Sequence, residues 1–207
     1  MCEYRTDLRR CTRRAKVGYY CFAHARERNA IAPPPRWPRK KFAAILADPP
    51  WTFKTYSDKG QDRGAVQHYS VMSLDEIKAL PVPKVAARDC WLFLWTTGTH
   101  LPQALAVMEA WGFKYSGSGF VWIKTTAPML HMQGWQPAAQ LERFLTFGLG
   151  HTTRKNAEFC IMGRRGAPPI ISHSVFEIII AERREHSRKP DQTYERIEAL
   201  VRGPYLE

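Results

Sequence analysis

The sequence predicts an α/β protein: an open sheet of buried strands with helices on both faces, preceded by a small basic segment that carries cysteine and histidine. Three observations lead there. Short apolar runs, Phe42–Ala47 and Asp89–Trp95 among them, have the length and continuity of strands covered on both sides. Helix-start signals and helical spacing alternate with those runs. The first run ends on an acid, Asp48, and open α/β sheets hold their ligands outside the carboxyl ends of strands.

Residues 1–31 read as a separate unit. Cys2, Cys11, Cys21 and His24 supply three thiolates and an imidazole, a complete tetrahedral zinc set. Cys21 and His24 have ligand-like spacing, while the two earlier gaps are longer than in common zinc fingers. A segment this short with few aliphatic side chains cannot bury a core, and a metal would supply the missing folding energy. The alternative is a disordered basic arm with free thiols. Residues 32–41, beginning Ala32-Pro33-Pro34-Pro35, form a stiff linker.

Charge divides the chain. Of a net +12, residues 1–41 carry +9, from twelve basic and three acidic side chains. A basic end on a near-balanced body suits a polyanion, most simply nucleic acid, although a solubilising tail has the same composition. Five cysteines, an odd number, argue against a disulfide framework. No apolar run is long enough to span a membrane, and the polar start is no signal peptide, so a cytoplasmic protein is expected.

The body, residues 42–207, opens with the expected strand Phe42–Ala47 and the run Asp48-Pro49-Pro50-Trp51. Neither proline can continue a sheet ladder, yet both carbonyls still accept hydrogen bonds. With a carboxylate before them and an indole after, they make a pocket for a planar amine such as adenine. The bland alternative is a turn in which Asp48 caps and Trp51 packs.

The remaining elements follow in order. Ser73 and Glu76 form a capping box that starts a short helix. Asp89–Trp95 is the second strand. Leu101, Ala104, Leu105 and Met108 share a helical face, and Gly112 stops that helix. Phe120–Lys124 is a strand ending on the Asp48 edge. Residues 125–150 hold no clear element and suit a substrate-facing lid, with Trp135, Phe147, His131, Arg143 and His151. Gly148–Arg154 is glycine-rich but is no dinucleotide fingerprint, because a strand, Asn156–Gly163, follows it instead of a helix. Val175–Ala181 is a further strand. Pro190 and Asp191 start a helix to about Val201, with Ile197, Leu200 and Val201 inside. Basic residues just before it suit a phosphate.

From Phe42 onward the sequence resembles the MT-A70-type N6-adenine methyltransferases. The resemblance rests on Asp48-Pro49-Pro50-Trp51, on Phe93-Leu94-Trp95-Thr96-Thr97-Gly98 followed by a helix and Trp111-Gly112-Phe113, and on Ser187-Arg188-Lys189-Pro190-Asp191. It implies a Rossmann-like methyltransferase sheet, S-adenosylmethionine as cofactor and the exocyclic N6 of adenine in DNA, ahead of RNA, as target. It implies catalytic roles for Asp48, Pro49, Pro50 and Trp51. Tyr69, beside Trp51, would sandwich a base. Lys124 would lie near the cofactor or the base, Glu158 matches the family's acidic strand residue, and His151 and Arg154 would face substrate. Asp48, Lys124 and Glu207 would contact cofactor. Tyr205-Leu206-Glu207 resembles the opening of a central strand whose continuation in the family holds the cofactor's ribose and methionine ends. On that reading the carboxyl end is missing and cofactor binding is weak. The alternatives are an inactive nucleic-acid-binding subunit with the same fold and a zinc-containing adaptor. Homo- and heterodimers are both open.

Overall fold

The computed structural model describes residues 37–52, 72–126, 142–148, 150, 152–185 and 188–207. Within them six strands form one sheet: β1 (Phe42–Ala47), β2 (Ala86–Thr96), β3 (Lys114–Thr125), β4 (Ala157–Arg165), β5 (Ile178–Glu182) and β6 (Tyr205–Leu206). The helices are α1 (Leu74–Lys78), α2 (Val82–Val85), α3 (Leu101–Ala110) and α4 (Gln192–Leu200). The sheet order is β5-β3-β4-β2-β1-β6. β1 runs parallel to β2 and β6, and β3 parallel to β5, while β4 is antiparallel to both of its neighbours. The carboxyl ends of β1, β2, β3 and β5 therefore meet the amino end of β4 on one edge.

Side-chain alternation divides the core into two layers. Cys90, Leu92 and Leu94 of β2 face α1, α2 and α3 along with Ile77, Val85, Ala104, Val107 and Met108. Trp91, Phe93 and Trp95 face the opposite side with Phe120, Trp122 and Ile179, under Ile197 of α4 and Val201 just beyond it. In β1, Phe42 and Ile45 share a layer although three residues apart, because the pairing with β2 slips between Phe42 and Ala44. Helices thus cover both faces, as expected.

Local chemistry explains the helix ends. Ser73 accepts from the Glu76 amide while the Glu76 carboxylate accepts from the Ser73 amide, the capping box read from sequence. At the end of α3, Gly112 at φ +79° lets its own N–H reach the Glu109 carbonyl (2.8 Å) and the Phe113 N–H reach that of Met108 (3.0 Å).

Four expectations need correction. The inner face of α3 is Ala104, Val107 and Met108, and Leu101 and Leu105 stand on its exposed flank. Spacings of three and four residues admit either stripe, and contact with α1 and the sheet selects this one. β2 begins at Ala86, because Ala86 pairs with Phe42 ahead of an irregularity that leaves the exposed Arg88 and Asp89 without a partner in the register with β1. β5 is shorter than Val175–Ala181, because its pairing with β3 starts only at Ile178, opposite Val121; the Arg196 guanidinium donates to the carbonyls of Phe176 (2.5 Å) and Ile178 (2.7 Å). α4 begins at Gln192, after Pro190 and Asp191, and Asp191 makes no side-chain cap because Arg184 holds its carboxylate. The last strand opens at Tyr205 as expected; it pairs with β1 and ends the order among the described strands.

Phe93 is fully buried and stacks on Phe120 with centroids 6.0 Å apart. Phe93→Ala should cost about 4 kcal/mol of stability, measured by urea unfolding, because the sheet cannot collapse into the space.

Candidate active site

The edge where the strand ends meet collects four charged side chains from distant parts of the chain. Asp48 follows β1, Lys124 lies next to the end of β3, and Lys189 precedes α4. Glu158 is the second residue of β4, which reaches this edge only because β4 runs opposite to its neighbours. The Lys189 ammonium lies 2.8 Å from Asp48 Oδ2 and 3.1 Å from Glu158 Oε2. The Lys124 ammonium closes on Glu158 Oε1. Each ammonium also sits over an indole, Lys189 at 5.5 Å from the Trp95 ring centre and Lys124 at 4.9 Å from that of Trp122.

These groups differ in access. The Lys189 side chain is 12% exposed and that of Glu158 17%, whereas Asp48 keeps 37% of its surface open. Burial alone would raise the Glu158 carboxyl, but Lys189 and Lys124 outweigh it and hold it below the usual carboxylate range. Burial would likewise lower the Lys189 ammonium, but Asp48 and Glu158 raise it well above the usual lysine range. Glu158 and Lys189 therefore stay charged at neutral pH, and Asp48 is the more exposed carboxylate.

The turn after Asp48 is tied from several sides. The Pro49 carbonyl accepts the Trp51 N–H at 2.9 Å, and the Pro50 carbonyl accepts that of Met72 at 3.1 Å. A carbonyl oxygen has two lone pairs, so each keeps accepting capacity. Trp51 is only 6% exposed: its indole N–H donates to the Trp95 carbonyl (3.1 Å) and its ring stacks on His100 at 5.8 Å. The indole packs and anchors the turn, so the open flat face expected from sequence is not what the fold presents.

Among the other expected site residues, Arg154 lies over the exposed Phe147 ring at 4.5 Å, and Glu207 accepts from the Tyr194 hydroxyl at 2.7 Å. Neither contacts the charged cluster through those bonds. Two arginines of the basic run before α4 are paired within the chain: Arg184 and Arg188 bind Asp191, and Arg188 also binds Glu185. Tyr69, His131, Trp135, His151, Cys2, Cys11, Cys21 and His24 lie outside the described residues. Among the described residues no group of His, Cys, Asp or Glu could hold a metal ion, and no helix is long and apolar enough to cross a membrane. Lys189, which joins the two carboxylates, was not singled out as a site residue from sequence. It stood in a run that carries the family resemblance, but its only chemical signal was the basic stretch in front of a helix, which suggested an anion from outside where the fold supplies its own.

An open α/β sheet with its reactive groups collected outside the strand ends is the frame of a ligand-binding enzyme. The chain belongs to the MT-A70 family, whose profile matches residues 42–206. It is 34% identical over 171 residues to the type II methyltransferase M.MunI of a Mycoplasma species, covering 75% of this chain and 66% of that protein. It is 31% identical over 165 residues to the human N(6)-adenosine-methyltransferase catalytic subunit METTL3, covering 79% of this chain and 24% of that one. An MT-A70-like N(6)-adenosine-methyltransferase of Arabidopsis thaliana matches at 31% over 161 residues, 77% of this chain and 20% of its own length. The chain therefore spans slightly under two thirds of the bacterial relative and a quarter or less of the two eukaryotic ones.

Lys189→Met should destabilise the protein by about 2 kcal/mol, less than for a wholly buried pair because Asp48 is partly hydrated. The pH dependence follows from the shifts. Glu158, with its lowered folded value, contributes stability above the ordinary carboxylate range and loses it as pH falls through that lowered value. Lys189, with its raised value, contributes fully below the ordinary lysine range and loses it only as pH rises through the raised one. The stability difference between wild type and Lys189→Met should thus be flat from roughly pH 6 to 9 and shrink in acid, as read by denaturant unfolding across pH.

Proposed function

We propose that the protein is an S-adenosylmethionine-dependent methyltransferase acting on the exocyclic N6 of adenine in nucleic acid, with DNA ahead of RNA. The observation that carries this reading is Asp48, a half-exposed carboxylate outside the end of β1, held by the buried Lys189 ammonium and followed by two proline carbonyls. Membership of the MT-A70 family, whose methyltransferases use that cofactor, supports it. The preference for DNA is supported by the similarity, at 34% identity, to a bacterial type II methyltransferase.

The residues present fit the cofactor. A zwitterion with a sulfonium needs both signs of charge at one edge, which Asp48, Glu158, Lys124 and Lys189 supply, and beside Lys189 the buried Trp95 Nε1 has no hydrogen-bond partner among the described residues. Asp48, Lys124 and Glu207 are the proposed contacts. Once bound, S-adenosylmethionine supplies an electrophilic methyl group.

This chain's own part is positioning and electrostatics. The N6 lone pair of adenine is delocalised into the ring. Asp48 and the second lone pair of the Pro49 carbonyl accept the two amine hydrogens, which turns the lone pair out of conjugation and aims it. Lys189 fixes the Asp48 carboxylate, and Asp48 need not be a strong base, because the amine can lose its proton after it becomes cationic. Pro50 stiffens the turn and Trp51 anchors it. Tyr69 supplies the stacking face that Trp51, being buried, does not, while His151 and Arg154 contact the nucleic-acid backbone. A base in a duplex is flipped out to reach the site.

The same reading extends to residues 1–31 as a nucleic-acid-binding arm, with Cys2, Cys11, Cys21 and His24 as zinc ligands. Elemental analysis of protein purified without added zinc should find one metal ion per chain; its absence removes the zinc assignment. Deleting residues 1–31 should flatten the salt dependence of nucleic-acid binding, since phosphate contacts set that slope.

Asp48→Asn keeps the shape but replaces one acceptor by a donor. Turnover should fall by about a hundredfold or more, with nucleic-acid affinity nearly unchanged. A variant with normal turnover would remove Asp48 from the mechanism.

A further inference from the structure

His100 lies outside the motifs that carry the family resemblance, yet it touches the turn that follows Asp48. It stands between β2 and α3, where its side chain makes no cap to the helix. Its ring stacks on Trp51 with 20° between the planes. Its Nε2 lies 3.1 Å from the Thr52 carbonyl, and its Nδ1 lies 2.9 Å from Thr97 Oγ1. Thr97 Oγ1 is in turn 2.9 Å from Thr99 Oγ1.

These contacts define the proton positions. A carbonyl oxygen only accepts, so Nε2 carries the hydrogen, and in the neutral ring Nδ1 accepts from the Thr97 hydroxyl. Thr97 belongs to the loop after β2, and Thr52 closes the turn after β1. The imidazole therefore bridges the loops that leave two adjacent parallel strands. Met72 holds the turn from the other side, accepting from Thr52 Oγ1 at 2.7 Å and donating to the Pro50 carbonyl.

We propose that His100 is a positioning residue: it braces the Asp48–Thr52 turn against the end of β2 and so sets the direction in which the Pro49 carbonyl and the Asp48 carboxylate point. The consequence for catalysis rests on the proposed methyl transfer; the brace itself does not. His100 acts through the turn without touching the reacting atoms.

Three variants separate its two contacts. His100→Ala removes both the ring and the donor, His100→Gln keeps a donor for the Thr52 carbonyl, and His100→Phe keeps the stack. Amide hydrogen exchange at Trp51 and Met72 in the ligand-free protein should rise about fivefold or more in the alanine variant and less in the other two. Leu105→Ala, on the exposed flank of α3, should leave it unchanged. With nucleic acid and cofactor, kcat of His100→Ala should fall about tenfold while KM for nucleic acid changes less than about twofold. Unchanged exchange at Trp51 in His100→Ala would overturn the proposal. So would an equal loss in all three variants together with a general fall in Tm, which marks a merely structural role. Raised local exchange in a protein whose wild type transfers no methyl group would support the brace and reject the methyltransferase reading.

Discussion

Two carboxylates lie at one sheet edge, and the Lys189 ammonium sits between them, within 3.1 Å of both. Without a cation there, Asp48 and Glu158 would repel each other beside the indole of Trp95. Lys189 is largely buried, so its charge is poorly screened and strongly felt. It also joins elements far apart in sequence: the end of β1, the start of β4 and the turn before α4. The reversal of β4 serves the same end, since a parallel β4 would place Glu158 at the opposite edge of the sheet.

The arrangement is graded from inside to outside. Lys124, Lys189 and Glu158 are screened from water, and only Asp48 is substantially open. A substrate therefore meets a carboxylate whose orientation is already set. The proline turn continues that logic. Its carbonyls are oriented by bonds to Trp51 and Met72, and Trp51 is fastened to Trp95 of β2, which also lies beneath Lys189. Trp95 thus serves both: its indole lies under the Lys189 ammonium, and its backbone carbonyl anchors the turn. Preorganisation of this kind is what a weak amine nucleophile requires.

Much of this was legible in the chain, for definite physical reasons. β1 has the bounds of its apolar run, and the capping box at Ser73 and the stop at Gly112 are local signals that the fold respects. Lys124 was expected at a strand end on the Asp48 edge, and the fold joins the two through Glu158 and Lys189. What local pattern could not show was pairing across long separations. Lys189 stands in a basic run that looks like a solvated anion site; nothing nearby says that its partners follow β1 and begin β4. The stripe of α3 was ambiguous because residues spaced by three and four offer two adjacent faces. Trp51 looked like a stacking platform because its burial depends on His100 and Trp95, which only the folded sheet brings near. The start of β5 is set by where its pairing with β3 begins, at Ile178, which no local pattern announces.

The central claim is that this edge directs a methyl group to the exocyclic nitrogen of adenine. Mass spectrometry of nucleosides, after nucleic acid is incubated with the protein and S-adenosylmethionine carrying a labelled methyl group, tests it most directly. The account predicts label on N6-methyladenine, with DNA the better substrate. Label on cytosine or on a ring nitrogen of adenine would contradict it, as would cofactor binding with no labelled base at all.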